Sequence, residues 1–260
     1  MAEIINFENE LSGNINKAQD IIWDAWDNDD PDERLNLAKK ALEIDPDCAD
    51  AYNVLGYDEK NKDKQLEYFE LAIKSFKDRH NQKFFDETKG YFWEALETRP
   101  FMRGLQGYGK SLWDNGRTKE AIETYSYMLT LNPNDNQGIR YILISWLFTV
   151  HDLKGVRKLL KTYKSDVSAC MMFSVLLSKI LEKKNENLIQ KYYDAAVSAN
   201  GYVVPYLLKK KRKPANYPDM YSFGSKEEAI IYVYDECGKA AWEACPEALK
   251  VLAEIAQKKK

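Results

Sequence analysis

Residues 103–133 read RGLQGYGKSLWDNGRTKEAIETYSYMLTLNP, and this stretch decides the fold. Leu105, Tyr108 and Leu112 recur at helical spacing in its first half, and Ala121 and Tyr125 do so in its second half. Apolar residues every three to four positions on both sides of an Asp-Asn-Gly turn predict two helices joined by a short connection. The stretch therefore predicts a helical hairpin that closes at a proline.

The same pattern recurs along the chain. A shift of 34 residues carries Leu105, Tyr108, Gly109 and Leu112 onto Ile139, Ile142, Leu143 and Trp146. A further step of 33 residues carries Ile139 and Ile142 onto Met172 and Val175, so three units tile residues 102–201. Two earlier units are predicted from Tyr52, Leu55, Gly56, Phe69 and Ala72, and before them from Ala18, Ile22, Ala25, Leu35, Ala38 and Ala41.

This repeat resembles the tetratricopeptide-repeat signature, in which small residues, aromatic residues and a closing proline stand at fixed positions of a 34-residue unit. The resemblance covers roughly residues 14–201 and is closest from Leu105 to Pro133. It implies an all-α fold, a right-handed solenoid of tetratricopeptide-like helical hairpins with a helical C-terminal cap. Small residues at Gly56, Gly109 and Ala121 would let the paired helices approach closely.

After Asn200 the periodicity fades, and we predict two regions on this basis. Residues 1–201 form the repeat array of about five hairpins, and residues 202–260 form a linker and a helical C-terminal cap packed on the array. Helices are expected at 203–208, at 225–236 and at 246–257. Capping patterns at Asp30-Pro31 and at Ser225 mark two helix starts.

Composition favours a globular protein without a strong affinity for nucleic acid. Its 38 basic and 41 acidic residues give a net charge of −3, which provides no large positive field for a phosphate backbone. The amino terminus lacks the basic start and apolar core of a secretory signal, and the longest apolar run is too short for a membrane span. These features predict a cytoplasmic protein with no membrane partner, in which the four scattered cysteines are free thiols.

The sequence contains no motif for catalysis, for a metal or for a cofactor. His80 and His151 lie outside any nucleophile or zinc pattern, and no phosphate-binding glycine loop occurs. The acidic run at 27–33 lacks the glycine and glutamate that a calcium loop requires. We therefore predict a protein that is not an enzyme and that needs no cofactor or metal.

The resemblance implies a binding surface, because the first helix of each unit lines the concave side of a tetratricopeptide array. The positions carried over are Tyr57, Arg103, Gln106, Lys110, Trp113, Arg140, Tyr141 and Ile144. Guanidinium groups bind carboxylates and aromatic rings supply rigid contact area, so this set suits a protein or peptide partner that is possibly acidic. The alternative, equally weighted for Trp113 and Tyr141, is that their rings pack between helices.

Chaperone-tail binders of this family clamp a terminal carboxylate with a Lys and an Asn, but Gln19 and Trp23 stand at the matching positions, so that function is not carried over. The run Lys209–Lys213 before Pro214 fits either a nuclear-import signal or, more simply, a solvated linker. The expected function is a non-enzymatic interaction scaffold or adaptor that binds a partner peptide or helix in its concave groove. A regulatory protein gated by its C-terminal segment, and less readily an enzyme using the groove as substrate site, are the alternatives.

Overall fold

A computed structural model describes residues 2–209, 213–218 and 220–258, with the backbone alone for residues 2–11. All regular elements in these ranges are helical, which confirms the predicted all-α class. The chain divides into two compact units, 1–137 (unit 1) and 138–260 (unit 2). Within the described ranges, no helix is both long enough and apolar enough to span a bilayer.

Unit 1 consists of helical hairpins in succession. Its helices are α1 (Ala2–Trp26), α2 (Pro31–Ile44), α3 (Ala49–Asp58), α4 (Lys62–Arg79), α5 (Gln82–Thr88), α6 (Arg99–Asp114) and α7 (Thr118–Leu131). The hairpin pairs are α1–α2, α3–α4 and α6–α7, and each pair packs on the next through α2 and α3 or through α4 and α6. The first helices of the pairs also contact one another, α1 with α3 and α3 with α6.

Glycines set the close approach of these helices. A Cβ atom built on Gly109 would lie 2.5 Å from ring carbon Cε1 of Tyr125, and one on Gly56 would lie 2.8 Å from Cε1 of Phe69. The predicted roles of Gly56 and Gly109 are thus confirmed. Gly107, which the sequence did not single out, is closer still, with its Cβ position 2.2 Å from Cε1 of Phe69.

The connection between α4 and α6 is an insertion that the repeat pattern did not predict. It holds α5 and a short 3₁₀ turn, Leu96–Thr98. Phe85 stacks on Phe92 with ring centroids 5.5 Å apart and meets Phe101 of α6 edge-on at 5.4 Å. The insertion therefore has its own small aromatic core.

Unit 2 contains two further hairpins and a group of C-terminal helices. The elements are α8 (Ile139–Thr149), α9 (Leu153–Thr162), α10 (Ala169–Leu181), α11 (Glu186–Ala199), α12 (Val203–Leu207), α13 (Lys226–Ile230), a π-helical turn (Ile231–Asp235), α14 (Gly238–Glu243) and α15 (Pro246–Lys258). The hairpin pairs are α8–α9 and α10–α11, while α14 packs on α8 and α15 on α10.

The C-terminal helices lie where the sequence predicted them, with one further helix, α14. Ser225 caps α13 as expected, since its Oγ accepts a hydrogen bond from the Glu228 N–H at 3.1 Å. The helix predicted at 225–236 is present, since α13 continues directly into the π-helical turn that ends at Asp235, and the helix then breaks at Cys237, whose φ is +60°. This break brings the Trp242 indole N–H within 3.0 Å of the Tyr232 hydroxyl. The two compact units meet at residue 137. The predicted division into a repeat array at 1–201 and a linker with a cap at 202–260 stays a prediction.

Candidate functional site

A buried carboxylate organises the first helices of unit 1. Asp50 of α3 is fully buried, and Arg103 of α6 pairs with it through Nε at 2.9 Å and through Nη2. The Asn53 amide donates to the same carboxylate at 2.9 Å, and Gln19 of α1 reaches it at 3.4 Å. A buried charge is tolerated only with such partners, so Asp50 ties α1, α3 and α6 together and occupies the Arg103 guanidinium.

Aromatic rings surround this ion pair. The Trp26 ring lies 5.8 Å from the Arg103 guanidinium and meets Tyr57 edge-on at 5.9 Å. The Tyr57 hydroxyl donates to the backbone carbonyl of Arg103 at 3.2 Å, and its burial raises the pKa of Tyr57 to about 12. The residue as a whole is nevertheless 44% exposed. Part of the residue is therefore available to a partner, while its hydroxyl is neutral and already hydrogen-bonded.

Two helix stripes extend the surface on either side. On α1, Gln19 and Trp23 stand four residues apart, and Trp23 is 56% exposed. On α6, Gln106, Lys110 and Trp113 follow Arg103 at helical spacing and are all partly or fully exposed. We call these residues the first-helix face of unit 1: Gln19, Trp23, Tyr57, Arg103, Gln106, Lys110 and Trp113.

The polar groups on this face are mostly neutral or paired. The Gln137 side-chain amide donates a hydrogen bond to the side-chain oxygen of Gln106 at 2.6 Å. The side-chain N–H groups of Gln106 are not used in this bond. The Lys110 ammonium pairs with Asp114 one turn along the same helix. The face therefore presents aromatic rings and amide groups, with one half-exposed ammonium, rather than a concentrated positive charge.

The sequence-predicted residues of unit 2 have a different environment. Arg140 pairs with Asp166 at 2.7 Å and lies 4.1 Å from the centre of the Tyr141 ring. The Tyr141 hydroxyl donates to the same carboxylate at 3.1 Å. Burial raises the pKa of Asp166, but hydrogen bonds from Ser168 and the pairing with Arg140 outweigh it, so the net shift is downward.

Tyr141 and Ile144 belong to the core and do not line an open groove. Tyr141 is 9% exposed and Ile144 fully buried. The reason is that the C-terminal helices cover the first helices of unit 2: α14 packs on α8, α15 packs on α10, and Tyr232 lies 6.1 Å from Phe173. Other side chains of these two helices are buried as well: Phe148, Cys170, Phe173, Ser174 and Leu177.

A buried carboxylate also fixes this cover. Glu228 accepts hydrogen bonds from the backbone N–H of Ala169 at 2.8 Å, from the Asn200 amide at 2.9 Å and from the Gly224 N–H at 2.6 Å. Asn200 stands at the position where the repeat pattern has its closing proline. Its side-chain amide donates hydrogen bonds to the Ser225 carbonyl and to Glu228 and so connects α11 to the C-terminal segment. Nearby, burial raises the pKa of Glu236 to about 8, although a hydrogen bond with Cys170 opposes the shift.

Two cysteines and one histidine pack among the helices. Cys48, Cys170 and Cys245 are free thiols, as predicted. Burial raises the pKa of Cys48 to about 11 and raises the pKa of Cys170 well above its usual range, so both thiols stay protonated and are poor nucleophiles. His80 stacks on Phe76 at 4.1 Å, and its Nδ1 lies 2.8 Å from the Phe76 carbonyl oxygen.

Sequence reasoning missed Asp50, Trp26 and the role of Gln19. The spacing of Gln19, Trp23 and Trp26 on one helix face was a usable signal, whereas nothing in the sequence marks Asp50 as buried. The basic run at 209–213 lies partly outside the described residues. Of its described members, Lys209 pairs with Glu243 at 3.3 Å and Lys213 lies 5.3 Å from the Tyr217 ring.

Comparisons with known proteins give a likeness in structure. No family model matches the chain, and no curated protein matches it in sequence. Among solved structures, the chain is similar to YrrB, described as a TPR protein with an unusual peptide-binding site. The two are 16% identical, the match covers 76% of this chain and 90% of that one, and the TM-score is 0.46.

Proposed function

We propose that the protein is a non-enzymatic interaction scaffold and that the first-helix face of unit 1 binds a short segment of a partner protein, extended or helical. One observation carries the proposal: Trp23 and Tyr57 expose large aromatic surface on this face, whereas the equivalent first helices of unit 2 are covered by the chain itself. Exposed aromatic rings framed by polar groups are characteristic of binding surfaces.

The chemistry of the face favours a segment with an apolar or aromatic anchor. Trp23 and the Tyr57 ring would pack against this anchor, while Gln19 and Gln106 would hydrogen-bond the backbone beside it. An acidic partner was expected from Arg103, Lys110 and Arg140, but each of these cations already pairs with a carboxylate. We therefore expect the apolar anchor to contribute more to the binding affinity than charge attraction does.

Selection from a random library of displayed 12-residue peptides tests the proposal. We expect enriched peptides to share an aromatic or large aliphatic residue and to bind with a Kd of about micromolar, near −8 kcal/mol. Trp23→Ala should weaken their binding about tenfold or more, because it removes the most exposed ring of the face. Synthetic versions with the same anchor and either acidic or neutral flanking residues would then measure how much charge adds to the affinity.

The matched control is Tyr127→Ala, which removes a 40% exposed aromatic ring from the second helix α7. It should leave the affinity unchanged. Peptides that bind Trp23→Ala as tightly as the wild type, yet lose binding to Tyr127→Ala, would place the binding surface on the second helices and overturn the proposal.

Gating by the C-terminal segment is a second candidate, supported by the cover that α14 and α15 form over α8 and α10. A ligand that displaced this segment would expose Ile144 and Phe148 and would have to replace the Glu228 hydrogen bonds. Amide hydrogen exchange distinguishes the two ideas. Displacement requires faster exchange in α14 when a selected peptide binds, whereas binding to unit 1 leaves exchange in α14 unchanged.

A further inference from the structure

The charges of the chain are divided between its two units. Residues 1–137 contain 17 basic and 28 acidic residues, a net charge of −11. Residues 138–260 contain 21 basic and 13 acidic residues, a net charge of +8. The overall charge of −3 therefore conceals an acidic unit and a basic one, which the composition of the whole chain does not reveal.

In unit 2, helix α9 carries a ridge of exposed cations. Lys154, Lys158 and Lys161 follow one another at i, i+4 and i+7 and lie on one face of the helix, opposite the buried Val156 and Leu159. Arg157 and Lys164 flank this ridge and are also exposed. None of these five forms an ion pair within the described part of the chain.

In unit 1, helix α1 carries an acidic stripe with the same spacing. Asp20, Asp24 and Asp27 also follow one another at i, i+4 and i+7, and all three are exposed. The N–H of Asp27 still bonds to the Trp23 carbonyl at 3.1 Å, so the helical register continues to this residue. As on α9, these carboxylates have no ion-pair partner among the described residues.

We propose that these two surfaces bind each other between copies of the chain: the α9 ridge of one copy receives the α1 stripe of a second. The equal spacing lets the three ammonium groups face the three carboxylates along about two turns of helix, near 10 Å. Because the two surfaces differ, one contact leaves a free ridge and a free stripe, and further copies can add. The contact uses other residues than the first-helix face of unit 1, although Trp23 of that face adjoins the stripe on α1.

The association should be weak and sensitive to salt. Exposed ion pairs contribute little individually and are screened over about 10 Å at 0.1 M salt, so a Kd on the order of 0.1 to 1 mM at low ionic strength is expected. Sedimentation velocity of the full chain at about 0.5 mM protein should therefore show association in about 20 mM salt and its loss in about 300 mM salt.

A charge swap identifies the surfaces. The variant Lys154→Glu, Lys158→Glu, Lys161→Glu should remain monomeric, as should Asp20→Lys, Asp24→Lys, Asp27→Lys. A mixture of the two should associate, since the reversed ridge of the first variant now matches the reversed stripe of the second. The control Lys39→Glu, Lys60→Glu, Lys64→Glu makes the same change in net charge at exposed lysines elsewhere and should associate as the wild type does.

Two results would overturn the proposal. One is a wild-type chain that stays monomeric in low salt. In that case a single-stranded oligonucleotide serves as a probe for a polyanion partner. Oligonucleotide binding that is lost in the lysine variant would then assign the ridge to a polyanion. The other is a failure of the mixed variants to associate while circular dichroism shows that both are folded.

Discussion

The two units use the same hairpin pattern but treat their first helices differently. In unit 1 the first-helix face is open: Trp23 and Tyr57 are exposed, and Arg103 pairs with the buried Asp50. In unit 2 the corresponding helices are buried beneath the chain's own C-terminal helices. A repeat position therefore does not fix the role of a side chain: whether it binds a partner or forms the core depends on what covers it.

Two tryptophans give the largest expected contrast between the units. Trp242 is fully buried in the cover of unit 2 and donates to Tyr232, so Trp242→Ala should lower the free energy of unfolding by about 3–5 kcal/mol. Trp23→Ala removes an exposed ring and should change it by less than about 0.5 kcal/mol. Chemical denaturation of both variants measures the difference, and similar losses would show that the two surfaces are equally buried.

Two cations of α6, one paired with a buried carboxylate and one with an exposed carboxylate, should differ in their effect on stability. Arg103→Glu leaves the buried Asp50 unpaired beside a second carboxylate, and we expect a loss of about 3–5 kcal/mol. Lys110→Glu breaks only an exposed pair with Asp114 and should cost less than about 1 kcal/mol. Urea denaturation of the two variants checks this ranking.

Equal midpoints for the two variants would contradict this ranking and would indicate that Asp50 is accessible to water.

The cover of unit 2 should respond to pH through Glu236. Its folded-state pKa of about 8 lies above the ordinary 4.5, so the folded chain holds a proton that the unfolded chain releases. Its contribution to stability is fully present below pH 4.5 and is lost as pH rises through 8, by an amount on the order of a few kcal/mol. Glu236→Gln should flatten this decline in thermal or urea unfolding between pH 5 and 9, and an unchanged slope would contradict the assignment.

The sequence predicted the hairpins well because their signals are local. Apolar spacing, the glycines at positions 56 and 109 and the caps at Asp30 and Ser225 all act within one hairpin, and each appears in the structure as expected. Such features require no knowledge of distant segments. The repeat pattern is therefore sufficient to place the hairpin helices, α1 to α4 and α6 to α11.

The candidate site was predictable only in part, because its features depend on contacts distant in sequence. Arg103 finds its carboxylate 53 residues away, and Ile144 is covered by a segment about 100 residues further along the chain. Helical spacing placed both side chains on first helices correctly. It gave no information on which of these helices the C-terminal segment would cover.

Hydroxyl-radical footprinting of the native chain, read by mass spectrometry, tests the difference between the two faces most directly. We expect Trp23 and Tyr57 to be oxidised several times faster than Tyr141, Phe173 and Trp242, in keeping with their exposure. A selected peptide should then protect Trp23 and Tyr57 without changing the slow group. Rapid oxidation of Tyr141 and Phe173 in the free protein, or peptide protection confined to unit 2, would contradict an open face in unit 1 and a covered one in unit 2.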